Sequence, residues 1–167
     1  MVLILPAKPD KGGDDTRGQL GTLVQADGDG GRLLACTLYA IGGDQDWPVY
    51  VHAKVGIVDD IWMTIGSANL NEHSLINDTE MNVVTRDARL VRDTRLRLWT
   101  QHLQRPPDQL SGDPVSVVDH LWKRIAEEQG ERHKRGERWT HRLTTLPGVS
   151  RRSRLLLGPL QGLVVDA

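Results

Sequence analysis

In the first half of this chain, apolar residues come in short runs broken by glycine, proline and aspartate; in the second half they recur at helical spacing. Residues 2–5 are a continuous apolar run closed by Pro6 and Pro9, the pattern of a buried strand. A polar, glycine-rich loop is expected at 8–16, and a short helix or irregular stretch at 18–26. Asp27-Gly28-Asp29-Gly30-Gly31 reads as a turn, after which residues 32–40 regain strand character. A loop at 42–47 leads through Pro48 into a strand over 49–58. Asp59-Asp60 is a hairpin turn without the glycine such turns favour, and 61–65 is the returning strand.

Farther along, Val91 and Leu98 share one face of an expected helix over 87–103, with Leu96, Trp99 and Leu103 on an adjoining face. Residues 104–112 form a proline-containing connector. Asp113-Pro114 makes an N-cap and first-turn pair for a helix to about 129, with Val118, Leu121, Trp122 and Ile125 inward. Gly130 suits the end of that helix. Residues 131–142 are highly charged and expected to be solvated, and apolar clusters return around 155–157 and 163–165. The picture is an α/β fold with a mixed sheet flanked by helices. Residues 1–104 form its main lobe and 105–167 a helical C-terminal extension.

Composition narrows the class. The chain has 167 residues, 38% hydrophobic and 26% charged, enough for one globular domain with a sizeable core. Its net charge of -1 offers no general attraction to nucleic acid or to an anionic membrane, so nucleic acid is disfavoured as a partner. Cys36 is the only cysteine, which excludes an internal disulfide and any cysteine-based zinc site. No apolar run approaches the roughly 18 residues of a membrane span. The run at 2–5 has no leader before it, so the sequence reads as one that starts partway through a fold.

The candidate chemistry is concentrated at residues 52–69, HAKVGIVDDIWMTIGSAN. His52 and Lys54 stand two apart, and on an extended strand such side chains leave one face together. An imidazole beside an ammonium suits an anionic phosphate ester: histidine acts as nucleophile or acid/base, and lysine supplies fixed positive charge. Gly66 lets the backbone come close, while Ser67 and Asn69 offer a hydroxyl and an amide donor. With that charge in place no divalent cation or other cofactor is called for, and no carboxylate cage for a metal is visible. His102, His120, His133 and His141 lack ligand spacing and read as surface or capping residues. The basic residues of 132–142, with Arg151, Arg152 and Arg154, fit phospholipid headgroups less well than a solvated face shared with Glu127, Glu128, Glu131 and Glu137. Trp62 is expected in the core.

His52-Ala53-Lys54, Asp59 and Gly66-Ser67-Ala68-Asn69 fit without a gap the HxK(x)4D(x)6GSxN pattern of the phospholipase D superfamily. The continuation at 70–80, ending in Glu80, resembles bacterial and eukaryotic-type members, with His73 where that pattern usually has arginine. The resemblance implies the C-terminal catalytic lobe of a phospholipase D-like α/β fold, an incomplete single lobe. Family members join two such motifs at one site. One histidine forms a phosphohistidine; the other protonates the departing alcohol and then activates water, the role implied for His52. Lys54, Ser67 and Asn69 would hold phosphoryl oxygens, and Glu80 would orient the partner motif's histidine. For Glu80 a solvated carboxylate is an equal alternative. Asp59 belongs to the catalytic pattern but is expected to support the hairpin.

The activity implied is hydrolysis of a phosphatidylcholine-like phospholipid to phosphatidic acid and alcohol, with transfer to another alcohol as a variant. The partners implied are phospholipid at a membrane surface and a second HKD lobe, from a missing N-terminal half or a second subunit. The expected location is cytoplasmic and peripheral to membrane. Two alternatives stay open: a homodimeric single-motif phosphodiesterase or nuclease, and a truncated lobe inactive alone. Only 51 residues precede His52, which weighs against the first.

Overall fold

A computed structural model describes residues 1–7, 20–21, 23–28, 30–69 and 73–146 of the chain. The strands among them are β1 (Val2–Ile4), β2 (Leu34–Ala40), β3 (Trp47–Pro48), β4 (Lys54–Val58), β5 (Trp62–Gly66), β6 (Asn82–Thr85) and β7 (Leu143–Thr145). The longer helices are α1 (Ala88–Leu103) and α3 (Lys123–Lys134); α2 (Pro114–Val117) is one turn, followed by a π-helical stretch at Val118–Trp122. The chain divides into two compact units. One is formed by Met1–Val51 and the chain from Val118 onward, the other by His52–Val117. The boundary expected at residue 104, drawn from a change in sequence character, falls inside the second unit. The expected loop at 8–16 and the apolar clusters at 155–157 and 163–165 lie outside the described residues.

The first unit is built on β2. It pairs in parallel with β1 (Val2↔Leu34 to Ile4↔Cys36) and antiparallel with β7 (Cys36↔Thr145 to Leu38↔Leu143) and the short β3. A mixed sheet results, as expected. Cys36, Thr37 and Leu38 are all buried, so this central strand is covered on both faces. Burial pushes the Cys36 thiol up to about 12, leaving it an inert core group. Trp122, Ile125 and Ala126 come from the helical side and Leu143 and Leu146 from the strand side to complete the apolar core. Val118 and Leu121, also expected inward, are half-buried.

Gly130 does not end this helix. Residues 123–134 continue through it, and the chain turns at Gly136 (φ 71°) after the C-cap Arg135. The reason is steric: α3 packs on β7, and a Cβ at Gly130 would stand 2.7 Å from Thr145 Oγ1. Beside it the fully buried Gln129 amide donates to Thr140 Oγ1 (2.8 Å) and accepts from Thr140 N–H (2.9 Å), tying the segment after α3 back onto the helix. The basic run is paired with acids: Lys134 with Glu131, Arg132 and Arg135 with Glu137, and Arg138 with Asp46. Trp139 stacks on both Tyr39 and His133 at 4.8 Å. The expected charged face is therefore largely self-neutralised; Arg151, Arg152 and Arg154 lie outside the described residues.

The second unit starts with the antiparallel meander β4-β5-β6. The strand expected over 49–58 begins only at Lys54. Pro48 pairs with Tyr39 and the Val49 N–H donates to the Leu38 carbonyl at 2.8 Å, so the chain must leave the β2 ladder before it enters the next sheet. Trp62 is half-buried; Met63 is the buried residue of β5. Helix α1 follows, capped by Asp87, whose carboxylate accepts from the Arg89 and Leu90 N–H groups. Asp113 caps the next helical turn by accepting from Ser116 N–H at 2.8 Å. No helix among the described residues is long and apolar enough to cross a membrane.

Candidate functional site

The spacing from Lys54 to Gly66 is the length of a hairpin. β4 and β5 pair residue by residue from Lys54↔Gly66 to Val58↔Trp62, which brings the lysine opposite the start of the Gly-Ser-Ala-Asn turn. At the other end, Asp59 and Asp60 have φ of 51° and 55°, the pair of positive values a type I′ turn requires. Aspartate tolerates this region better than most residues, so the turn forms without glycine. Asp60 is held by Arg95 of α1 through two hydrogen bonds, 2.6 and 2.7 Å, and that guanidinium lies 4.4 Å over the Trp99 ring. Asp59 is exposed, five strand residues or about 17 Å along β4 from Lys54, so it does not join the cluster at the lysine end.

His52 precedes the ladder, so the same-face argument for an extended strand does not apply to it. The structure links the pair differently: Lys54 Nζ donates to the His52 carbonyl oxygen at 2.9 Å. The imidazole belongs to an exposed residue two positions before β4, and Lys54 is half-buried at the first position of that strand.

The Gly66 turn is set by its neighbour strand. Gly66 faces Asn82 in the β5–β6 register, and a Cβ there would lie 2.0 Å from Asn82 Oδ1 and 2.3 Å from the Met81 carbonyl oxygen. Only glycine fits. Asn82 then reaches both ways, accepting from Ala68 N–H at 3.2 Å and donating to Thr64 Oγ1 at 3.1 Å. Ser67 continues the ladder: its N–H donates to the Met81 carbonyl, and its Oγ accepts from Met81 N–H, both at 3.1 Å. Asn69 donates from its amide nitrogen to the buried Ser74 Oγ at 3.3 Å.

Glu80 closes the cluster. Hydrogen bonds from the Ser67 hydroxyl first, then the Ser74 hydroxyl, with the Lys54 charge behind them, hold its carboxyl below the ordinary glutamate range despite a desolvation push upward. Lys54, Ser67, Asn69 and Glu80 are thus brought together, with His52 tethered at the edge through its backbone. Ser74, Asn82 and the Asp60–Arg95 pair were not anticipated. Arg95 did leave a signal, an arginine four residues from Val91 on the buried face of α1; Ser74 lies within the continuation at 70–80 that resembles the family, and Asn82 left no signal. Residues 70–72 of the extension lie outside the described residues; His73 opens a π-helical turn at His73–Asn77. Among the described residues no three His, Cys, Asp or Glu side chains gather as metal ligands. Leu75, Ile76, Met81 and Val83, on either side of Ser74 and Glu80 in the chain, are exposed.

Residues 18–100, about half the chain, match the family described as cardiolipin synthase, PLD-like domain. Phospholipase D A of Dictyostelium discoideum is 38% identical over 90 residues, covering 39% of this chain and 7% of its own length. Phospholipase D zeta 1 of Arabidopsis thaliana is 38% identical over 96 residues, 46% of this chain and 9% of its own. Mouse phospholipase D1 is 37% identical over 97 residues, 46% and 9%. The chain thus spans less than a tenth of the length of these relatives.

Proposed function

The chain belongs to the phospholipase D superfamily, and on that premise we propose that it supplies one half-site of a phosphodiesterase that hydrolyses phosphatidylcholine-like phospholipid. The observation that carries the reading is the hairpin register that sets Lys54 against Gly66, with Asn69 and a doubly hydrogen-bonded Glu80 in one cluster. The names of the relatives, phospholipases D from a slime mould, a plant and a mouse, favour a lipid diester over nucleic acid.

In the proposed cycle the imidazole of the second half-site attacks phosphorus in line, and the P–O bond to the headgroup breaks. His52, protonated, gives its proton to the departing alkoxide. It then takes a proton from water, which attacks phosphorus, breaks the P–N bond and releases phosphatidic acid. Lys54 and the Asn69 amide stabilise the charge on the phosphoryl oxygens through both steps. Glu80 accepts from the partner histidine and orients it. The sequence has one HxK, so in this reading the partner histidine comes from another lobe or a second copy; the proposal places the encounter with substrate at a membrane surface, on the cytoplasmic side.

Choline release from phosphatidylcholine vesicles tests this, with the chain assayed alone and with a second HKD lobe supplied. His52→Asn is expected to lower turnover at least about 100-fold. Equal turnover by both proteins would sink the assignment. A dimer by light scattering, active without a supplied lobe, would move the reading to two copies of this motif.

A further inference from the structure

The β5–β6 ladder ends at the pair Gly66↔Asn82, and the turn that carries Asn69 starts there. Beyond that pair the Ser67 N–H donates to the Met81 carbonyl, while the Met81 N–H donates to Ser67 Oγ, both at 3.1 Å. The next donor on the departing chain, the Ala68 N–H, has Asn82 Oδ1 as its acceptor at 3.2 Å. Side chains thus take over where the backbone pairing stops. The direction of the Asn82 amide follows from its partners. A backbone N–H can only donate, so the side-chain oxygen lies toward Ala68, and the nitrogen donates to Thr64 Oγ1 at 3.1 Å. Thr64 stands two residues before Gly66 and Ala68 two after, with no side chain at Gly66 between them. The Asn82 amide fills that gap: a Cβ on Gly66 would lie 2.0 Å from Asn82 Oδ1. On the other edge of β5, Gly66 pairs with Lys54, so Lys54, Gly66 and Asn82 form one row across three strands.

Resting on the reading that a phosphodiester is bound here, we infer that Asn82 is a positioning residue. It holds the Ala68 N–H where the chain leaves β5, and so sets the course of the turn that brings the Asn69 amide to a phosphate oxygen beside Lys54. The Asn82 amide is anchored at one end by Thr64, within β5, and grips the turn at the other. The strand thereby dictates the path of the residues that follow it. Ala68 immediately precedes Asn69, so freedom gained at the Ala68 N–H reaches the Asn69 side chain after one residue. Asn82 itself is exposed, and on its removal water can take up the Ala68 N–H and the Thr64 hydroxyl. The fold then loses little. The loss falls on the aim of the turn.

The test follows the labelled full chain by NMR, with inorganic phosphate as the probe. In Asn82→Ala the Ala68 amide proton is expected to exchange faster with water, and the Asn69 side-chain resonances to shift. Inorganic phosphate should bind about tenfold more weakly, the lower end of what a hydrogen bond to a charged group is worth. The thermal midpoint should stay within a few degrees of the parent's. Thr64→Val keeps the shape of its side chain but removes the acceptor that anchors the Asn82 amide. It is expected to reproduce these changes more weakly, about threefold in phosphate binding, and to add nothing in the Asn82→Ala background. Should Asn82→Ala not fold, Thr64→Val alone carries the test through the same readouts. Where the parent binds phosphate, equal affinity in Asn82→Ala overturns the positioning role. So do Asn69 resonances unmoved in that variant, or a Thr64→Val loss that persists in full without Asn82. Weaker binding with a midpoint lowered by roughly ten degrees or more also overturns it, because Asn82 would then be holding the fold rather than aiming the turn. Failure of the function reads differently. A parent that neither binds phosphate nor releases choline, while Asn82→Ala still frees Ala68 and moves Asn69, loses the phosphodiesterase reading and keeps the hold of Asn82 on the turn.

Discussion

Strands β2 and β5 are each the middle strand of a sheet, yet they are held by different means. Around β2 the neighbours are apolar and covered: Cys36, Leu38, Trp122, Ile125, Leu143 and Leu146 are all buried. Around β5 the row Val55–Ile65–Val83, aligned across three strands, is 37%, 44% and 71% exposed. That sheet relies on particular polar links, Asp60 to Arg95 at its turn and Asn82 and Ser67 at its other end. On the function proposed above, a surface that offers donors to an anion cannot be closed over with apolar side chains. The site is therefore built from hydrogen bonds whose partners also shape it.

The sharpest way to break this contrast is to remove apolar volume from the first unit. Trp122→Ala is expected to cost about 3–5 kcal/mol, the range for truncating a fully buried tryptophan. Thermal unfolding followed by circular dichroism should show the midpoint falling by roughly ten degrees or more. A smaller fall than that produced by any change at Arg95 would contradict the contrast.

Arg95 is the matching test in the second unit. Its side chain is 6% exposed but Asp60 keeps 21%, so water screens part of the pair. Arg95→Ala is expected to cost about 1.5–3 kcal/mol, the range for a hydrogen bond to a charged group. Asp60→Ala in the Arg95→Ala background should then add little. If the two losses simply sum in a double-mutant cycle, the pair is not what fastens the turn to α1.

These two residues also show what was legible in advance. Trp122 was placed inward from helical spacing alone, because periodicity reports directly on which face is covered. The motif at 52–69 was legible because a hairpin imposes fixed offsets: Lys54, the turn and Gly66 are spaced by strand pairing. The start of β4 was not, since Val49 and Tyr50 are as strand-like as Val55, and only the pairing of Pro48 with Tyr39 shows that the chain is changing sheets. Gly130 was misread as a helix end because the partner that requires it, Thr145, lies fifteen residues away and carries no local mark. Asn82 was invisible for the same reason. A polar residue after a turn looks alike whether it faces water or fixes a neighbour's amide.

The smallest effect separates the units most finely. Glu80, Glu131 and Glu137 all have carboxyls held below the ordinary glutamate value of 4.5. The sign follows directly: a folded-state value below the unfolded one stabilises the fold above about 4.5, and that stabilisation is lost as pH falls through the folded value. Their causes differ. Glu131 is held chiefly by Lys134 and Glu137 by Arg135, ion pairs on the surface. Glu80 is held chiefly by the neutral hydroxyls of Ser67 and Ser74, with Lys54 as the least of its contributors. At 1 M salt the screening length shrinks to about 3 Å, which weakens ion pairs but leaves hydroxyl donors almost untouched. Titration of the three carboxyls by NMR in low and high salt is therefore expected to bring Glu131 and Glu137 up toward ordinary glutamate while Glu80 stays low. Ser67→Ala should then raise Glu80 in either salt, and by more than Ser74→Ala does. A Glu80 that follows salt as far as Glu131 would mean that its carboxylate is held by Lys54 after all, and the site would be an ion pair like those on the first unit.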